Sequence, residues 1–103
     1  MFCIKQSTEL PLLTASSSVA DVVRVLSLHD PNQVEAAAKM IKEQCYAFPA
    51  KRVAYAAALA IPALVNALRT HPDHVGVQDW VCRALWNICF ESEGNQVRFS
   101  LSI

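Results

Sequence analysis

The sequence predicts an all-α fold built on an internal helical repeat, and three observations carry that prediction. The 103 residues are rich in alanine, contain only two glycines, and are 53% apolar and 17% charged. This composition favours helices and argues against collagen, flexible linkers and turn-rich β-sandwiches. Prolines recur at spacings suited to helix starts, most clearly in Asp30-Pro31, an N-cap followed by proline at the first helical position, where the missing N–H costs nothing. Finally, the second half of the chain slides onto the first with its apolar residues in register.

Taken in order, residues 1–18 form an irregular or partly helical lead-in. Phe2, Ile4, Leu10, Leu12 and Leu13 are able to pack, but Pro11 and the serines interrupt any regular element. Ser18, with Asp21 three residues on, resembles a capping box and opens a helix over 19–29. Asp30-Pro31 opens the next, 31–46, and Pro49, Pro62 and Pro72 mark similar boundaries. Helices are accordingly predicted at 50–60, 61–70, 75–91 and 94–102. The last is contested locally: Val97 to Ile103 alternates apolar and polar residues, a strand pattern by itself. Only the repeat makes it a helix.

That repeat runs through three consecutive helices. At an offset of 42, Val22 meets Leu64, Val23 meets Val65, Leu26 meets Leu68 and His29 meets His71. At 44, Ala37 meets Val81, Ala38 meets Cys82, Ile41 meets Leu85 and Cys45 meets Cys89. The longer offset continues through Val53 with Val97, Tyr55 with Phe99 and Leu59 with Ile103. A period of this length with two or three helices is the range of HEAT and armadillo repeats.

The run 60–99 carries I-P-A-L-V-x-x-L, then V-Q-x-x-x-x-x-A-L-x-N-I, then G-N-Q, and in this it resembles an armadillo repeat. The copy at 19–60 is recognisable mainly by register. The resemblance implies a right-handed α-solenoid of about two three-helix repeats, 19–60 and 61–103. In such a fold the third helices line a concave surface that binds peptides or partner proteins.

At 100° per residue, Val77, Val81, Ala84, Leu85 and Ile88 share one direction of the third helix and form its core stripe. Asp79, Arg83, Trp86, Asn87 and Phe90 cluster opposite. Tryptophan and arginine are hot-spot residues, so this strip is a candidate partner surface; packing under stacked neighbours explains the aromatics equally. Asn87 aligns with the asparagine that hydrogen-bonds bound peptide backbone in armadillo proteins similar to importin-α. An amide both donates and accepts, which suits that role. The peptide-stacking tryptophan of that family lies four residues earlier, where this chain has Arg83. The first-repeat counterparts of Arg83 and Asn87 are Lys39 and Glu43, so the ladder that clamps basic signals is missing. Glu35, Lys39, Lys42, Glu43 and Tyr46 read either as a solvated face or as a polar extension of the groove.

Catalysis finds little support. The chain lacks G-x-x-x-x-G-K, G-x-G-x-x-G, G-x-S-x-G and H-E-x-x-H, so no catalytic residue is assigned. His71-Pro72-Asp73-His74 places two imidazoles near a carboxylate without a paired cysteine motif, and no metal or other cofactor is expected. Cys45, Cys82 and Cys89 sit in apolar helical patterns and read as reduced core thiols; with Cys3 they do not resemble a secreted disulfide framework. Nine basic and nine acidic residues cancel, which gives no drive toward nucleic acid. The apolar run 54–68 is broken by Pro62 and too short to span a bilayer. The N-terminus makes a poor signal peptide, so a cytoplasmic or nuclear, non-membrane setting is expected.

The leading functional expectation is a non-catalytic scaffold that binds a peptide or protein through Lys39, Glu43, Asp79, Arg83, Trp86, Asn87 and Phe90. The alternative is a self-assembling subunit or part of a longer array, because two repeats are few for a solenoid. Val97, Phe99, Leu101 and Ile103 offer more apolar surface than one buried face uses. Association of copies, most simply as a dimer, is therefore expected.

Overall fold

The computed structural model describes residues 13, 14 and 16–103. Most of the expected lead-in, with Phe2, Cys3, Ile4, Leu10 and Leu12, lies outside these residues. Among the described residues the chain is all-α and contains no strand. These described residues form six helices: α1 (Val19–Val25), α2 (Pro31–Ala47), α3 (Pro49–Ala57), α4 (Ala60–Thr70), α5 (Val75–Cys89) and α6 (Glu93–Ser102).

Local chemistry sets most starts. The Ser18 hydroxyl accepts from the Asp21 N–H at 3.1 Å. Hydrogen bonding to Ser18, then to Arg24, holds the Asp21 carboxyl below its ordinary value. Asp30 caps α2 through the Asn32 N–H at 2.9 Å, with Pro31 at the first helical position. His74 caps α5 by accepting the Val77 N–H on Nδ1 at 3.1 Å, so the His71–His74 loop is a helix start. Ser92 caps α6 through the Asn95 N–H.

The expected ends shift for physical reasons. The helix predicted over 19–29 closes at Val25, because Leu26, Ser27 and Leu28 donate back only three residues in a tightened turn. The division between α3 and α4 falls at Leu59, which takes the left-handed conformation at φ 66°. α5 stops at Cys89 rather than at 91, since Glu91 also turns left-handed at φ 53°. The contested segment 97–102 is helical.

The two long helices, α2 and α5, lie along each other and share the largest interface in the molecule. α1 and α3 pack on α2, α4 and α6 pack on α5, and α3 also touches both α4 and α5. The body measures 49 × 30 × 18 Å. Its core combines Val22, Leu26, Val34, Ile41, Tyr55, Ile61 and Leu64 with the α5 stripe of Val77, Val81, Ala84, Leu85 and Ile88, all buried. Small buried side chains on both long helices (Ala37, Ala38 and Ala84) allow close approach. A Cβ on Gly76, in the first turn of α5, would collide with the Glu35 carboxylate. That carboxylate therefore rests at the positive end of α5's dipole.

Side chains join the helix ends. Arg52 donates Nε to the Cys45 carbonyl at 3.1 Å and Nη1 to the Phe90 carbonyl at 3.2 Å, so one guanidinium ties α3 to the ends of both long helices. Buried Asn95 donates Nδ2 to the Ile88 carbonyl at 2.8 Å and to the Arg52 carbonyl at 3.3 Å, and accepts Arg98 Nη1 on its own oxygen. Gln78 donates to the Leu68 and His71 carbonyls at the end of α4. Fully buried Tyr55 donates to Gln44 Oε1 at 2.6 Å.

Among the described residues no single helix is long and apolar enough to cross a membrane; α3 and α4 pass by length and composition only as a pair, bent by 75°.

Candidate functional site

The predicted strip of α5 is divided by the structure between two neighbouring surfaces. One is polar and straddles the two long helices. Its centre is the half-buried Trp80, which the sequence reading did not single out. Arg83 Cζ lies 5.2 Å from the Trp80 ring centroid and Lys39 Nζ, on α2, lies 5.5 Å from it. Arg83 Nε also donates to Asp79 Oδ1 at 2.9 Å. Lys39, Asp79 and Arg83 are exposed; at an exposed site each cation–ring contact contributes about 0.5–1 kcal/mol, and the ion pair under about 1 kcal/mol. These groups are held loosely enough to exchange partners.

Glu43 is exposed one turn beyond Lys39. Asn87 is half-buried and donates Nδ2 to the Arg83 carbonyl of its own helix at 2.9 Å, so any outside acceptor for that N–H must displace an internal one. On α2, Lys42 Nζ lies 5.7 Å from the Tyr46 ring centroid.

The second surface is apolar. Trp86 and Phe90 line a cavity of about 500 Å³ together with Leu68 of α4, Cys82, Leu85 and Cys89 of α5, Glu91, and Gln96 and Phe99 of α6. Trp86 is 71% exposed and stands at its edge. Arg52 Cζ lies 5.3 Å from the Phe90 ring. Along α6, Val97, Leu101 and Ile103 are exposed, whereas Phe99 turns inward onto the core. The predicted self-association residues thus include three exposed side chains and one that forms a cavity wall.

The thiols differ among themselves. Burial pushes Cys45 up to about 12 from its ordinary 9.0 and raises Cys89 as well. Cys82 is exposed, contrary to its reading as a core thiol: its α5 position faces the open cavity, while its α2 counterpart, Ala38, is buried. Among the described residues no group of three or more His, Cys, Asp or Glu side chains is placed to hold a metal ion.

Sequence reasoning missed Trp80 because its cationic neighbours come from two helices. Trp80 and Arg83 stand three apart on one helix, a spacing that could have signalled the nearer contact. Lys39 joins them only once α2 is placed against α5.

Comparison with protein-family models, with curated proteins and with solved structures finds no match to this chain.

Proposed function

We propose that this chain is an armadillo-like, right-handed solenoid unit of two three-helix repeats, 19–60 and 61–103, that binds an extended peptide or protein segment without catalysing a reaction. The observation that carries the reading is the Lys39–Trp80–Arg83 cluster, in which side chains from adjacent long helices converge on one exposed polar surface. The order of short, long and short helices occurs twice, and counterparts such as Val22 and Leu64, Ala37 and Val81, and Ile41 and Leu85 are buried alike. An extended segment crossing α2 and α5 would meet Lys39, Glu43, Asp79, Arg83 and Asn87 in turn.

These groups carry both signs of charge, which favours a ligand of mixed charge over a purely basic one. Loose pairing lowers the cost of exchanging Asp79 for a ligand carboxylate at Arg83. The non-catalytic part of the reading is supported by the burial of Cys45 and Cys89, which pushes these two thiols away from the reactive thiolate form, and by a His74 nitrogen committed to a helix cap.

The test is selection from a displayed random-peptide library, followed by affinity measurement on the wild type and on Lys39→Glu/Arg83→Glu. Selected peptides are expected to lose at least roughly tenfold in affinity, about 1.4 kcal/mol, while circular dichroism shows the helical fold retained at the assay temperature; the melting temperature falls by several degrees with loss of the two ring contacts and the Asp79 pair. Equal binding by both proteins, or no enrichment at all, would overturn the reading.

A further inference from the structure

We propose that the segment bound across α2 and α5 carries an acidic side chain, and that Lys39, Trp80 and Arg83 form the subsite that receives its carboxylate. The inference rests on the peptide-binding reading above and names the residue class that this surface holds. Lys39 Nζ and Arg83 Cζ stand 5.5 Å and 5.2 Å from one ring centroid, so positive charges from two helices are drawn to the same half-buried tryptophan. The ring attracts both cations but cancels neither charge. One carboxylate, Asp79, answers them, and it engages only Arg83.

The cluster is short of acceptors. Glu35 and Glu43 stand four residues to either side of Lys39, the spacing of helical ion pairs, yet among the described residues neither pairs with it. The Glu35 carboxylate lies instead against Gly76 at the start of α5. Asp79 takes Arg83 Nε alone, at 2.9 Å. The two terminal nitrogens of that guanidinium, whose parallel N–H groups match a carboxylate, have no protein acceptor among the described residues. The Trp80 indole N–H has none either, and its nitrogen is not enclosed. Donors from both long helices thus converge with two cations against one carboxylate. An incoming carboxylate accepts from the open fork of Arg83, eases the repulsion between the two cations and displaces no internal hydrogen bond. A ligand amide brings no charge to answer the excess, and a basic side chain would add to it.

The experiment uses peptides selected on the full 103-residue chain. Each Asp or Glu of a selected peptide is replaced in turn by Asn or Gln. Titration calorimetry then measures affinity for the wild type and for Lys39→Gln/Arg83→Gln, with circular dichroism showing that the variant stays helical at the assay temperature. At one acidic position the amide should bind the wild type at least roughly tenfold more weakly. The same change should alter binding to the variant by less than about twofold, because the partner charges are gone. Affinity of the parent peptide should also fall as salt rises, and that of its amide analogue far less. Selected peptides without an acidic residue overturn the carboxylate subsite and leave peptide binding standing. So do acid-to-amide changes that are all neutral, or a loss that persists at full size in the variant. Absence of any enriched peptide overturns both.

Discussion

Replacing Asn95 with alanine isolates the joint between the ends of α3, α5 and α6. The amide is 4% exposed, and its Nδ2 is the hydrogen-bond donor to the Ile88 carbonyl in the last turn of α5. The Arg52 carbonyl, also reached by Nδ2, lies inside α3 and retains its helical partner. One buried acceptor is therefore orphaned at a cost of about 1–3 kcal/mol, and loss of the side chain's packing brings the total to about 2–3 kcal/mol. Against a total stability of about 5–15 kcal/mol, this lowers the melting temperature by roughly 10–20 °C at about 4–8 °C per kcal/mol. Circular dichroism during heating and in urea measures it. Asn95→Asp preserves size and the acceptor for Arg98 but removes the donor, so it should be destabilised by a similar amount. If both variants fall within about 0.5 kcal/mol of the wild type, the amide does not hold the helix ends and the packing account is wrong there.

Other outcomes follow from the same geometry. Leu59 takes a left-handed conformation that costs a non-glycine residue about 1–2 kcal/mol, and its side chain is 67% exposed; Leu59→Gly should raise the melting temperature by a few degrees, whereas a fall would show that the side chain packs. Cys45 and Tyr55 are both raised to about 12, from 9.0 and 10.0, by burial. The folded state keeps protons that the unfolded chain releases, so this stability is full below pH 9.0 and declines as pH climbs toward 12, by up to about 1.4 kcal/mol per pH unit for each group. The urea midpoint should fall between pH 9.0 and 10.0 and fall less in Cys45→Ala; a midpoint constant across that interval contradicts the burial. Cys82 should react with a thiol reagent at once, and Cys45 roughly a thousandfold more slowly or less, through unfolding; peptide mapping by mass spectrometry assigns the labels, and equal rates would contradict the different exposures.

Helix starts were legible because their causes are local: Ser18, Asp30-Pro31 and Pro49 each act within one turn. Ends were harder to read. Leu59 and Glu91 occupy left-handed positions where glycine is the usual signal, and neither residue announces a break. The alternation at Val97–Ile103 gave a false strand signal, but Ser92 starts a helix whose Phe99 is turned inward by packing against the core. The α5 core stripe followed from period alone, since every member points to one side. The division of the opposite strip did not, because it depends on which neighbour covers which flank: α2 brings Lys39 to Trp80, while α4 and α6 build walls around Trp86 and Phe90. The joints made by Arg52 and Asn95 reach carbonyls 38 and 43 residues away, beyond any local pattern.

The central claim is that an extended ligand lies across α2 and α5, and amide chemical-shift mapping tests it most directly. Titration of a selected peptide into isotopically labelled protein should shift the Trp80 indole N–H and the backbone signals of Lys39, Glu43, Arg83 and Asn87, leaving α6 unmoved. Shifts centred instead on Trp86, Phe90 and Phe99 would place the ligand in the apolar cavity and contradict the account.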